Sequence, residues 1–150
     1  MFHSVRIKNA KLTLISIGCF VILLAVCLVM LRAAPQNTVT VGDEKIGLKV
    51  SGDEDIEAFI SRCGHEIEGC ISDDMITVPK TWNEVYESYN ELQKEQGLDL
   101  RPYKGETARR LVYAIAGTDS YVTLLVCDGR VIAADLSSMQ QGDDPQPLIG

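Results

Sequence analysis

The stretch Tyr121-Val-Thr-Leu-Leu-Val-Cys127-Asp128-Gly129-Arg130-Val131-Ile-Ala-Ala134 decides the fold of this chain. Two runs rich in β-branched and aliphatic residues flank its Asp-Gly pair. Such a pair indicates a β-hairpin, because a type I′ turn needs positive φ at both central positions. A similar run, Leu111–Ile115, precedes the stretch and is separated from it by Gly117-Thr-Asp-Ser120. The pattern predicts a three-stranded antiparallel meander.

Two amphipathic helices are predicted upstream of the meander. The first begins at the capping-box pattern of Ser51 and Glu54 and ends at Gly64. The second runs from a similar box at Thr81 to the expected left-handed cap at Gly97. Because the helices come before the strands rather than alternating with them, we predict an α+β fold. Both helices should pack on one face of an antiparallel sheet that ends in the meander.

The second helix carries an aromatic and aliphatic stripe at steps of three and four residues. Its members are Trp82, Val85, Tyr86, Tyr89 and Leu92. Such a stripe can form a ligand platform, but aromatic residues on an amphipathic helix more often belong to the core and hydrogen-bond through their polar tips. We therefore interpret the stripe as core.

An apolar run near the N-terminus predicts a membrane anchor. Leu12 to Leu31 contains no charge and no proline, and as a helix it spans roughly 30 Å, the thickness of a bilayer core. Three basic residues precede the run, whereas Arg32 stands alone after it, so we expect the N-terminus inside the cytoplasmic membrane and the rest outside. A cleaved signal peptide is the alternative, but its apolar core is usually shorter.

One compact domain should follow the anchor, because the remaining length suits a single core. The last residues, rich in proline, glycine and acid, are typical of a frayed end. The predicted organisation is a cytoplasmic basic segment 1–11, a single-pass transmembrane helix 12–31, a tether 32–44, an extracytoplasmic α+β domain 45–138 and a flexible tail 139–150.

Several segments between residues 54 and 137 resemble one protein family. The central one is Tyr86-Glu-Ser-Tyr-Asn-Glu-Leu-Gln-Lys-Glu-Gln-Gly97-Leu-Asp-Leu100, followed by Pro102-Tyr-Lys-Gly105. It is similar to the signature of domain of unknown function 4830. The resemblance implies a small membrane-anchored protein of Gram-positive bacteria, and it implies no activity.

The balance of charge excludes one class of partner. After Arg32 the chain holds 10 basic and 21 acidic residues, a net charge of −11. Such a domain repels nucleic acid and anionic lipid headgroups. We therefore expect no nucleic-acid partner.

Reaction chemistry is not indicated, because no phosphate loop, nucleophile elbow or metalloprotease motif occurs in the sequence. Cys63, His65 and Cys70 include zinc-type ligands, but their spacing matches no standard zinc site. Outside the cell, Cys63 and Cys70 could instead form a disulfide, or both could remain thiols. The sequence favours thiols and leaves the disulfide open. We predict no metal and no cofactor.

These observations favour a binding or structural module for a cell-envelope protein or wall component over an enzyme. The residues proposed for its interaction surface are Asp99, Tyr103, Lys104 and Asp135, which lie in the segments most similar to the family.

The alternative function is a cell-envelope hydrolase that uses loop carboxylates such as Asp73-Asp74 or Asp143-Asp144. It requires a cleft with two carboxylates roughly 5 to 10 Å apart and at least one raised pKa.

Overall fold

The computed structural model describes residues 10–33, 36–138 and 144–150. The chain forms two compact units, residues 1–34 and 35–150. The first unit contains the helix α1, Ala10–Ala33, whose side chains from Ile15 to Leu28 are exposed. Judged on the described residues alone, no helix combines the length and the apolar character that a membrane crossing requires.

The transmembrane helix predicted over residues 12–31 stays a prediction, and most of the predicted basic segment 1–11 lies outside the described residues.

The second unit confirms the α+β class. Its elements in chain order are β1 (Thr38–Val41), β2 (Glu44–Gly47), α2 (Asp53–Arg62), β3 (Ile67–Thr77), α3 (Glu84–Glu95), a 3₁₀ helix (Arg101–Tyr103), β4 (Thr107–Ile115), β5 (Ser120–Cys127), β6 (Arg130–Ser138) and β7 (Gln146–Pro147). Strands β1 and β2 form a two-stranded sheet, and the other five form an antiparallel sheet in chain order.

The predicted meander is confirmed as β4, β5 and β6. The hairpin between β5 and β6 turns at Asp128 and Gly129, whose φ angles are 49° and 70°. Both are positive, as the type I′ turn of an Asp-Gly pair requires. The local sequence therefore determines this part of the sheet.

Strand β3 has 11 residues and lies outside the meander that the sequence predicted. Its pairing with β4 is irregular between Ile67 and Gly69 and again between Cys70 and Ser72. Each irregularity interrupts the two-residue alternation by which a strand is recognised in sequence. β3 forms one edge of the five-stranded sheet.

One face of this sheet packs against α2 and the β1–β2 hairpin. In α2, Ile56, Phe59 and Ile60 are at most 3% exposed and join the larger hydrophobic cluster. Their partners in that cluster include Leu111 on β4 and Leu124 on β5. α2 is therefore amphipathic, as predicted, and its apolar side is buried.

Both helices begin later than the sequence predicted. The residue before α2 is Gly52, which supplies no side-chain cap, and Ser51 instead donates its backbone N–H to Asp55. The cap of α3 is Asn83, whose Oδ1 accepts a hydrogen bond from the backbone N–H of Tyr86. An asparagine at this position is as good a cap as threonine.

The helices do not share one face of the sheet, so that part of the prediction is wrong. Tyr89 of α3 packs against the second hydrophobic cluster, which contains Leu125 and Ile132. Because side chains alternate along a strand, Leu125 points away from its neighbour Leu124, which belongs to the cluster of α2. α3 therefore lies across the β6 edge and over the opposite face.

The predicted tether and tail extend too far into the domain. Val39 of β1 is 3% exposed and pairs with Ile46 of β2, so residues 38–44 belong to the folded unit. β7 pairs with β6, and the following Leu148 and Ile149 are each 4% exposed. Residues 144–150 are therefore part of the domain, and residues 139–143 lie outside the described residues.

Candidate binding groove

A groove of about 900 Å³ lies between α3 and the face of the sheet opposite α2. We call it the α3 groove. Most of its wall is apolar, and the apolar residues include Ile76, Val78, Val85, Tyr86, Tyr89, Leu92, Leu100 and Leu125. Its polar residues are Glu84, Ser88, Arg110, Thr123, Asp135 and Asp144. A largely apolar concavity with a few polar groups is typical of a binding site.

The stripe is only partly core. Trp82 and Tyr89 pack against the second hydrophobic cluster and hydrogen-bond through their polar tips, as predicted. All of its members except Trp82 line the groove. Val85 is 72% exposed and Tyr86 is 37% exposed. Tyr89 and Leu92 are half-buried. The stripe is therefore available to a ligand, which is the alternative that the sequence had left open.

The buried side of α3 is polar. Asn90 and Gln93 have no exposed surface, and Gln96 just after the helix is 5% exposed. A buried amide destabilises the fold unless it is hydrogen-bonded. Asn90 and Gln96 use both the oxygen and the nitrogen of their amides, whereas Gln93 bonds through its oxygen and its Nε2 is buried without a partner among the described residues. Asn90 accepts from the backbone N–H of Leu100 at 2.7 Å and donates to Asp99 at 3.0 Å.

Gln93 and Gln96 attach α3 to Ala134 of β6, next to the two residues of β6 that pair with β7. The backbone N–H of Ala134 donates to Gln93 Oε1 at 2.9 Å, and its carbonyl accepts from Gln96 Nε2 at 3.0 Å. The two amides satisfy the backbone of Ala134 in the way that a neighbouring strand would. They also fix the rotation of α3, so its apolar stripe points into the groove.

Asp135 is a buried carboxylate in the wall of the groove, and it is 5% exposed. Its Oδ1 accepts from the Tyr89 hydroxyl at 2.6 Å and its Oδ2 accepts from Ser137 Oγ at 3.0 Å. Burial raises the pKa of Asp135, and the two hydrogen bonds oppose that shift. Burial and the charge of Asp135 raise the pKa of Tyr89 far above its usual value. Tyr89 is therefore the donor.

The rim of the groove is acidic. Glu84 and Asp144 are exposed and form no ion pair with a described residue. Among the described residues that line the groove, only Arg110 is basic, and it binds Asp74 at 3.1 Å. The rim therefore keeps an excess of negative charge.

An aromatic cluster lies beside the rim. Trp82 and Tyr86 stack with ring centroids 6.3 Å apart, and Lys104 Nζ lies 3.9 Å from the centre of the Trp82 ring. Trp82 also donates its indole N–H to the Pro79 carbonyl at 2.8 Å. These contacts hold the indole in place.

The four residues predicted as an interaction surface do not form one patch. Asp99 accepts from Arg101 N at 3.0 Å, so it forms a turn. Tyr103 packs against the second hydrophobic cluster, and Lys104 covers Trp82. Of the four, only Asp135 lines the groove.

The pairs Cys63–Cys70 and Asp73–Asp74 do not form the sites considered from sequence, and Asp143 of the other acidic pair lies outside the described residues. Cys63 is buried and Cys70 is exposed, and the structure has both as thiols. Burial raises the pKa of Cys63 to about 11. Asp73 and Asp74 lie in strand β3 rather than in a loop, and Arg109 and Arg110 bind them. Within the described residues, no three histidine, cysteine or acidic side chains come together as a metal site.

Sequence reasoning missed the residues that orient the site. Asn90, Gln93 and Gln96 recur every three residues along α3, which places them on neighbouring positions of one helix side. This polar periodicity was the available indication that the apolar stripe faces elsewhere.

The sequence profile of the domain of unknown function DUF4830 matches residues 59–136, more than half of the chain. The matched region contains α3 and β3 to β6, which supply most of the groove. Comparison with curated proteins and with solved structures gives no match. The chain therefore belongs to the DUF4830 family.

Proposed function

We propose that this chain is a single-pass membrane protein whose α+β domain is a binding module for a partner in the cell envelope. The α3 groove is its binding site. The observation that carries the proposal is the exposure of the α3 stripe, since Val85 and Tyr86 leave apolar surface uncovered beside a concave wall. Solvent-exposed apolar surface of this kind is typical of interaction sites.

The location rests on the amino-acid sequence. The uncharged run Leu12–Leu31 is long enough to span a bilayer, and Arg6, Lys8 and Lys11 favour an N-terminus inside the cytoplasm. The domain would then lie outside the cytoplasmic membrane. Its net charge of −11 would keep it away from anionic headgroups.

Two features favour this proposal over an envelope hydrolase. Both oxygens of Asp135 already accept hydrogen bonds from the protein, and no other described carboxylate is among the groups that shift its pKa. A hydrogen bond from Arg109 lowers the pKa of Asp73, and hydrogen bonds from Ser72 and then Arg110 lower the pKa of Asp74. A general acid needs a raised pKa and access to substrate.

Site-specific crosslinking tests the proposal. A photoreactive residue replaces Val85 in the full chain expressed in its native host, and Met75, which is 66% exposed and outside the groove, is the matched control position. We expect a discrete adduct in the membrane fraction from position 85 only. The proposal fails if both positions give the same adducts or if the chain is recovered outside the membrane fraction. If the purified chain released wall fragments and the Asp135→Asn variant did not, the result would favour the hydrolase.

A further inference from the structure

We infer that the α3 groove binds an extended peptide segment of a partner protein, and that this segment carries apolar side chains and at least one lysine or arginine. The inference rests on the proposed binding function and names the chemistry of the partner. Its basis is the combination of an apolar wall with an acidic rim.

The shape of the groove suits an extended chain. Its lining runs from Ile76 on β3 to Asp135 on β6, across four adjacent strands. At about 4.8 Å between strands this distance is roughly 14 Å, and an extended peptide covers it with about four residues. Val85 is exposed and Ile76 and Leu92 are half-buried, so these three offer apolar contacts to such a segment.

The charge of the rim selects a basic partner. Glu84 and Asp144 have no basic partner among the described residues, whereas Asp74 neutralises Arg110. A lysine or arginine beside the apolar segment would pair with these carboxylates. Opposite charge at a rim increases the rate of association and excludes partners of the same sign.

Other occupants fit less well. A second copy of the domain would bring two acidic rims together, and anionic lipids or anionic wall polymers would meet the same repulsion. Neutral sugar rings usually stack on an open aromatic face, but Trp82 is already in contact with Lys104 and Tyr86.

Peptide selection tests the inference. A phage library of random 12-residue peptides is panned on the full chain in lipid nanodiscs, with the Val85→Asp variant for counter-selection. Val85 is 72% exposed, so the variant keeps the folded core. We expect enrichment of apolar peptides that contain lysine or arginine, and at least tenfold weaker binding of a selected peptide to Val85→Asp. Met75→Asp should bind it as the original chain does.

A second set of variants tests the role of charge. The double variant Glu84→Gln, Asp144→Asn should weaken binding of the selected peptide about five- to twentyfold at low salt, and much less at high salt. Glu95→Gln, an exposed acid of the same helix outside the groove, should leave the affinity unchanged.

The outcomes separate the inference from the function on which it rests. Groove-dependent peptides without basic residues, or affinities indifferent to the double variant, overturn the inference and leave the binding function standing. If no peptide is enriched but soluble wall fragments bind in a way that depends on Val85, the inference is again overturned and the binding function stands. If no peptide or wall fragment distinguishes the chain from Val85→Asp, both are overturned.

Discussion

The hydroxyl of Tyr89 donates a 2.6 Å hydrogen bond to Oδ1 of Asp135, and this bond connects the middle of α3 to β6. It holds the wall of the groove together through two groups that are distant in sequence. Because Asp135 is 5% exposed, water cannot easily replace a lost donor.

Replacing Tyr89 by phenylalanine should therefore destabilise the domain. We expect the free energy of unfolding to fall by about 1–3 kcal/mol, because the ring stays and Asp135 loses a donor. Urea denaturation of the full chain measures the change. Tyr86→Phe is the matched control on the same helix, since the Tyr86 hydroxyl forms no hydrogen bond with a described residue, and it should change stability by less than about 0.5 kcal/mol. Equal losses in the two variants would contradict this role of the bond.

Asp135 should make stability depend on pH in a defined direction. Burial raises the pKa of Asp135 in the folded state. Its contribution to the free energy of unfolding is therefore complete below the unfolded pKa of about 3.9, and it is lost as the pH rises through the folded pKa. Asp135→Asn removes this titration and leaves that of the paired Asp73 and Asp74 in place. The difference in unfolding free energy, original chain minus variant, should fall as pH increases from about 4 towards neutrality. A difference that is flat or rises with pH would show that Asp135 does not titrate in this way.

Gln96 should hold the C-terminal residues in the domain. Its Oε1 accepts from the backbone N–H groups of Leu148 and Ile149 at 2.8 and 2.9 Å, and its Nε2 donates to the Ala134 carbonyl. In Gln96→Ala these buried groups lose their partner, so we expect a loss of about 3 kcal/mol or more. Hydrogen exchange should show faster exchange of the amides of Leu148 and Ile149. Gln146 is exposed, so Gln146→Ala is the control. If the amides of Leu148 and Ile149 were equally protected in both variants, Gln96 would not have this role.

The sequence was sufficient where local chemistry determines structure. The Asp128-Gly129 turn and its flanking strands were predicted because positive φ at both turn residues limits the possible sequences. The C-terminal end of α3 was also predicted, since Gly97 has a φ of 80° and Leu98 donates its backbone N–H to the Gln93 carbonyl.

The sequence was insufficient where distant groups determine which side of an element is buried. The apolar stripe of α3 predicted a core, but Gln93, which accepts from β6, and Gln96, which donates to it, turn Val85 and Tyr86 towards the groove. The same amide of Gln96 orders Leu148 and Ile149, which composition assigned to a flexible tail. Asp135 was selected only by its place in a segment similar to the family, and its burial depends on α3.

Gly129 should be needed for a close approach as well as for its turn. A Cβ at this position would lie 3.1 Å from the Val50 carbonyl oxygen, whereas one at Gly117 would meet nothing within 4 Å. Both glycines have a φ of 70°, so an alanine causes the same backbone strain at either position. We expect Gly117→Ala to cost about 1 kcal/mol and Gly129→Ala about 1 kcal/mol more. Thermal or urea unfolding measures both, and equal costs would mean that the chain near Val50 moves away freely.

Cys70 should report on which side of the membrane the domain lies. It is exposed, whereas Cys63 and Cys127 are buried and burial raises the pKa of both thiols. Because the thiolate is the reactive species, a maleimide should modify Cys70 far faster than Cys63 or Cys127. The other two exposed thiols, Cys19 and Cys27 of α1, are replaced by alanine in every variant of this experiment. With the proposed location, a membrane-impermeant maleimide added to intact cells labels the chain, Cys70→Ser abolishes the label and Cys63→Ala keeps it. Labelling only after lysis would place the domain inside the cell, and labelling that requires prior reduction would establish a disulfide at Cys70.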